Sequence, residues 1–179
     1  MKILRAEIIG LIKEMIMDAI VKNIIDAITT KKLTFEAEKF IIHWLSNEEK
    51  TDEDRDIIKQ LAMTGAFPAR CDNLFRGCKK LVDGNAESYS TSIREAVRFA
   101  GRDGYVIAAD TSKSCFYSFD FSEFVYDLIG EILMGEKENC YSNELIDVYE
   151  DFSGESEVFL ITDLSNSVVL NVYSIGNNL

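Results

Sequence analysis

Apolar residues recur at helical spacing in three blocks between about residues 3 and 63. The first sets Ile8, Leu11, Ile12, Met15, Ala19 and Ile20 along one broad stripe, which predicts an amphipathic helix. The second opens at Thr34 and carries Phe35, Ile41, Ile42, Trp44 and Leu45. The third has a helix-start signal in Thr51-Asp52-Glu53-Asp54, turns Ile57, Ile58 and Leu61 inward and stops at Gly65, with Pro68 just beyond.

From residue 73 the pattern changes to short apolar or aromatic runs separated by Gly, Asn, Asp and Ser, which predicts strands with intervening helices. The candidate strands are Asn73–Gly77, Tyr105–Ala109, Cys115–Phe119, Leu145–Tyr149, Glu157–Thr162 and Val168–Tyr173. One helix begins at Ser92, where Ser92-Ile93-Arg94-Glu95 has the form of a capping box, and ends at Gly101. Another spans about Ser122 to Met134 and buries Phe124, Val125, Leu128, Ile129, Ile132 and Leu133. Helices first and then a mixed sheet make an α+β chain, read as one domain with a helical layer over 1–66 and a β core over 67–179.

Charge narrows the function. A net charge of −12 argues against direct nucleic-acid binding, which needs a basic face, and favours a basic protein partner. A small anion remains compatible, because one or two arginines can overcome the average locally. Cys71, Cys78, Cys115 and Cys140 show no CxxC spacing and His43 is the one histidine, so no metal site is expected and the cysteines read as reduced thiols. The apolar start is interrupted by Glu7, Lys13, Glu14, Asp18, Lys22 and Asp26 too often for a signal peptide or a membrane span. A cytoplasmic location without membrane contact is therefore expected.

Three features carry candidate chemistry. Arg76 closes an apolar strand with Gly77 directly behind it; a guanidinium there could grip a pyrophosphate or ribose, although alone it reads as an exposed strand-end arginine. Ser90, Thr91 and Ser92 gather hydroxyls at a strand–helix junction, where helix capping is the plainer explanation for Ser92. Glu155 and Glu157 precede the apolar run Val158-Phe159-Leu160-Ile161. If Glu157 opens a strand, alternation places both carboxylates on one face, where crowding resists joint ionisation. In a chain with 31 acidic residues, one such pair is weak on its own.

Taken in order, Arg76-Gly77, Ser90-Thr91-Ser92 and Glu155-x-Glu157 resemble the R–STS–ExE signature of mono-ADP-ribosyltransferases of the clostridial-toxin-like type, which include small enzymes of T-even-like bacteriophages. The resemblance spans about the last two thirds of the chain. Phe152 matches an aromatic that family members often carry three residues before the acidic motif, and the amino-terminal helices match the layer that precedes the family's split-sheet core. The resemblance implies NAD as co-substrate, with Glu157 as the catalytic glutamate, stabilising positive charge on the ribose as nicotinamide leaves. It further implies that Arg76 grips the phosphates or ribose, that Gly77 presents backbone to the nicotinamide amide, and that Ser90 positions Glu157 while Thr91 and Ser92 support the junction. Glu155 would hold an acceptor guanidinium and accept its proton, so that a protein arginine is the expected acceptor, with a basic host protein as the expected partner; Phe152 would help recognise that protein. An aromatic stacked on nicotinamide is expected among Phe116, Tyr117, Phe119 and Phe121, while Arg94 and Arg98 are expected to be solvated and His43 and Trp44 structural.

Two other classes stay open. One is an NAD glycohydrolase, or a transferase to a non-arginine acceptor, on the same fold. The other is a noncatalytic acidic interaction protein, which would gain if Glu157 were buried in an ion pair or if the groove beside Arg76 were filled.

Overall fold

The computed structural model describes residues 2–47, 50–112 and 116–172, and for residues 2–9 the backbone alone. Three helices come first: α1 (Lys2–Thr30), α2 (Phe35–Ser46) and α3 (Asp52–Thr64). The start and stop signals work locally as expected. The Thr34 side chain accepts from the Ala37 N–H, Thr51 and Asp54 complete a reciprocal capping box, and Gly65 ends α3 at a φ of 62° that suits glycine. Ile57, Ile58 and Leu61 are buried as the periodicity predicts.

The stripe on α1 is different. Leu11, Ile12, Met15 and Ile16 are exposed, and burial begins at Ile20 and continues through Val21, Ile24 and Ala27. At about 1.5 Å per residue, a helix of 29 residues is some 40 Å long, and Lys13 on its exposed stretch pairs with Glu53 of α3.

The remaining elements are β1 (Asn73–Cys78), β2 (Ala86–Ser90), α4 (Ile93–Ala100), β3 (Tyr105–Asp110), β4 (Ser118–Asp120), α5 (Phe121–Leu133), α6 (Asn143–Phe152), β5 (Glu157–Ile161) and β6 (Ser167–Asn171). The chain is α+β, with a sheet in the order β4-β5-β2-β1-β3-β6 whose pairings are all antiparallel. β1 and β2 share a single register pair, Phe75 with Ser90, so the sheet splits between β1-β3-β6 and β2-β5-β4.

Two strand expectations need correction, and one strand is additional to those expected. Leu145–Tyr149 lies within α6, where the Ser142 hydroxyl accepts from the Leu145 N–H and the buried pair Leu145 and Tyr149, four apart, marks one helical face. The run expected at Cys115–Phe119 is β4, starting at Ser118, and Cys115 lies outside the described residues, as does Tyr173 at the end of the last expected strand. β2 lies in a stretch without an apolar run and was implied only by the hydroxyl junction. The Ser92 capping box does not form: Ser92 stands at the N-cap of α4, but its side chain makes no cap bond.

Alternation along β5 sorts the core into two faces. Phe159 packs with the amino-terminal helices, Phe119, Phe121 and Phe124, whereas Val158 and Leu160 pack on the opposite face with Leu74, Tyr89 and Ile107. Glu157 shares the face of Phe159, and that parity brings the helical layer to it. No helix among the described residues is long and apolar enough to cross a membrane, and Cys71, Cys78 and Cys140 are free thiols.

Candidate active site

A cleft of about 650 Å³ opens where the sheet splits, and its lining includes Arg76, Gly77, Ser90, Phe152, Glu155 and Glu157. Residues from β1, β2, α6 and β5, up to 81 positions apart in the motif order, thus reach one concavity of a size usual for small-molecule sites. Thr91 and Ser92 sit at its edge in the β2–α4 turn without lining it.

Glu157 is the most constrained side chain there. The Trp44 indole N–H donates to its Oε1 at 2.9 Å, and the Ser88 hydroxyl donates to the same oxygen. The Trp44 ring is buried edge-on against Phe159 at 5.2 Å, so packing aims the indole at the carboxylate. Burial pushes the Glu157 carboxyl above the usual carboxylate range, opposed by the bonds from Ser88 and Trp44 and by the charge of Lys50, with Glu155 raising it further. Lys50 lies over the Trp44 ring at 4.7 Å and bonds the carbonyls of Trp44 and Asn47; burial lowers its pKa against the pull of Glu157, Asp54 and Glu155.

The serines divide their work differently from the expectation. Ser90, opposite Glu157 in the ladder, donates at 2.7 Å to the backbone carbonyl of Glu155 and accepts from the Ser92 N–H at 3.0 Å. Ser88, two residues earlier on the same face of β2, is the serine that touches the Glu157 carboxylate. The hydroxyl nearest the catalytic candidate therefore comes from within the strand, while Ser90 ties the turn carrying Glu155 to β2.

Glu155 and Glu157 do not share a continuous strand face. Glu155 ends a 3₁₀ turn over Ser153–Glu155, and Ser156 follows at a φ of 49°, a left-handed kink that breaks the two-residue period. Both carboxylates line the cleft nonetheless. Glu155 is paired: the Arg98 guanidinium lies 2.8 Å from its Oε1 and 2.8 Å from Glu95, so Arg98 is not simply solvated.

Arg76 spans the split in the sheet. It donates to the Ser88 carbonyl at 2.7 Å, supplying a bond that a fully paired neighbouring strand would give, and it pairs with Glu87 at 2.9 Å. These contacts hold a guanidinium at the cleft wall with 23% of its side chain exposed. The close approach that Gly77 permits is to α4: a Cβ there would lie 1.8 Å from the Ala96 carbonyl oxygen.

The aromatics of the cleft are Trp44, Phe75, Tyr89, Phe99 and Phe152. Phe119 and Phe121 are fully buried in the core, Phe116 packs on the second cluster and Tyr117 is exposed, and none of the four lines the cleft. Trp44 and Lys50 carried no sequence signal toward the site, since the Trp44–Glu157 bond joins residues 113 positions apart. Ser88 did carry one, its parity with Ser90. Among the described residues, no group of three His, Cys, Asp or Glu side chains is placed to hold a metal ion.

Comparison with protein-family models, with curated proteins and with solved structures finds no match. The functional reading therefore rests on the residues of this cleft.

Proposed function

We propose that the chain is an NAD-dependent mono-ADP-ribosyltransferase that cleaves the nicotinamide–ribose bond and passes ADP-ribose to a protein arginine. The observation that carries the reading is the convergence of Arg76, the β2 serines and the Glu155–Glu157 pair on one cleft, with the Glu157 carboxylate held by two donors.

NAD is the substrate that supplies both the leaving group and the transferred ADP-ribose. Arg76 and the cleft wall would bind its anionic part through charge-assisted bonds. Breaking the glycosidic bond builds positive charge on the ribose, as in glycoside hydrolysis, and a fixed carboxylate at that point lowers the barrier without having to reorganise. Glu157 is fixed in this sense by Trp44, Ser88 and the rigid ladder of β2 with β5. Glu155 stands at the rim, on a turn held by Ser90, and already binds a guanidinium, the group an arginine acceptor would present. The net charge of −12 suits a basic acceptor protein.

The Glu155–Arg98 pair also favours a second reading, an NAD glycohydrolase in which the acceptor position is taken and water receives the ribose. Against the noncatalytic reading stand the open cleft beside Arg76 and the uncharged donors on Glu157.

The test is transfer of labelled ADP-ribose from NAD to agmatine, a free alkylguanidine, and to a mixed bacterial lysate. Native labelling lost in both Glu157→Ala and Glu155→Ala, with nicotinamide release surviving in Glu155→Ala, supports arginine transfer. Nicotinamide release without labelling supports the glycohydrolase. Neither activity, together with no binding of NAD, removes both.

A further inference from the structure

We infer that Lys50 is a positioning residue for cleavage of the nicotinamide–ribose bond: from the corner between α2 and α3 it braces the Trp44 indole against Glu157 and supplies that carboxylate with a counter-charge. The inference rests on the transferase reading above and adds to it a residue of the helical layer that the motifs do not include.

Lys50 is fixed at both ends. Its backbone carbonyl accepts from the Arg55 guanidinium at 2.7 Å, and Thr51, the next residue, caps α3. Its ammonium donates to the carbonyls of Trp44 and Asn47 at the C-terminal end of α2, where the helix dipole favours a cation. The same ammonium stands 4.7 Å from the centre of the Trp44 ring, and the attraction between a cation and an aromatic face seats the ring there. Phe40 and Phe159 pack against that ring at 6.2 and 5.2 Å, so it has little freedom to turn, and its N–H donates to Glu157 Oε1 at 2.9 Å. One side chain thus closes a helix end and aims a donor at the carboxylate.

The charges around the pair come from several elements. Among the described residues, Arg76 of β1 pairs with Glu87 of β2, Arg98 of α4 with Glu95 and Glu155, and His43 of α2 lies on Asp54 of α3, whereas the Lys50 ammonium bonds two neutral carbonyls. Lys50 and Glu157 line the same cleft. The Lys50 charge draws the Glu157 carboxyl toward its ionised form against burial, and Glu155 acts the other way. Burial lowers the Lys50 pKa in turn, opposed by Glu157, Asp54 and Glu155 and assisted by Arg55. Removing the ammonium therefore loosens the indole and disfavours the carboxylate together. A fixed carboxylate serves the charge that develops as the bond breaks, so the loss falls on kcat and not on the capture of NAD.

The experiment uses Trp44 as a reporter. It is the one tryptophan of the chain, so its indole N–H gives a single resonance in the isotope-labelled full chain and follows the ionisation of Glu157. Glu157→Gln identifies that titration by abolishing it. Lys50→Met is expected to shift the resonance and move its midpoint to higher pH, while Lys50→Arg, which keeps the charge, stays close to the native midpoint. In nicotinamide release, Lys50→Met lowers kcat at neutral pH on the order of ten-fold, leaves the KM for NAD nearly unchanged and moves the rising limb of the pH profile in step with the indole midpoint. Lys50→Arg recovers most of that kcat. Lys50→Gln is neutral yet still donates to the α2 carbonyls; it is expected to melt as the native chain does and still raise the midpoint, so the charge is tested in a folded protein. An indole midpoint that Lys50→Met and Lys50→Gln leave at the native value overturns the proposal, as does a loss confined to KM, or a Lys50→Arg variant as impaired as Lys50→Met. Each of these, with nicotinamide release by the native chain, leaves the transferase reading standing. A native chain that releases no nicotinamide overturns that reading and this role within it, whatever the indole reports.

Discussion

At the scale of single residues, Glu157 is governed by a conflict between burial, which favours its neutral form, and the donors Ser88 and Trp44 with the Lys50 charge, which favour the carboxylate. If the carboxylate is the working form, NAD cleavage rises with pH through the elevated Glu157 pKa. Trp44→Phe keeps the ring and removes the N–H; it moves that limb to higher pH and costs on the order of ten-fold in kcat, as the loss of a hydrogen bond to a charged group implies. A pH profile of nicotinamide release checks both. The same conflict has a consequence for stability. A carboxyl whose folded pKa is raised binds more protons folded than unfolded, so its contribution is greatest below the unfolded pKa and falls as pH rises toward the folded one. Glu157→Gln, whose amide oxygen still accepts from Trp44 and Ser88, is expected to melt above the native chain at neutral pH, with the gap closing in acid. A Glu157→Gln variant that melts lower at neutral pH contradicts the assignment of burial as the dominant influence.

At the scale of elements, caps and buried stripes follow from nearest neighbours, and the sequence shows them: the Thr51 box, Gly65 and the inward face of α3 all form as read. The errors fall where a local pattern fits two periods or where length matters. Leu145-Ile146-Asp147-Val148-Tyr149 reads as a strand by residue type and as a helix by the four-residue interval between its buried members. On α1, Leu11 and Ile24 are both apolar, yet packing covers Ile24 alone. Ile24→Ala should therefore cost about 2–5 kcal/mol and Leu11→Ala less than about 0.5, measured by urea unfolding. Gly77→Ala drives a methyl into the Ala96 carbonyl, so α4 must lift from β1. A loss of about 3 kcal/mol or more is expected in the same assay, together with weaker NAD binding as the cleft wall shifts.

At the scale of the whole molecule, the helical layer and the sheet share one core through Trp44, Phe159, Phe119 and Phe121. The amino-terminal helices thus contribute a side chain to the cleft as well as cover to the sheet. The acidic surface acts at longer range. If the acceptor is a basic protein, its modification should weaken several-fold as salt rises from about 50 to 300 mM, because screening shortens the reach of surface charge. Nicotinamide release without an acceptor should change much less. Equal salt sensitivity of the two rates would remove the charge argument for the acceptor.

The order of the motifs, the α+β class and most element positions were legible in the sequence, because each depends on local periodicity, capping or spacing. The register of β2 with β5, the split beside β1 and the kink at Ser156 were not, since they follow from which strands find each other across the chain. Those long-range pairings put Ser88 rather than Ser90 on the Glu157 carboxylate, Trp44 beside it and Arg98 on Glu155. A linear sequence names the groups that can do chemistry; their partners are decided by packing between residues that the chain itself keeps far apart.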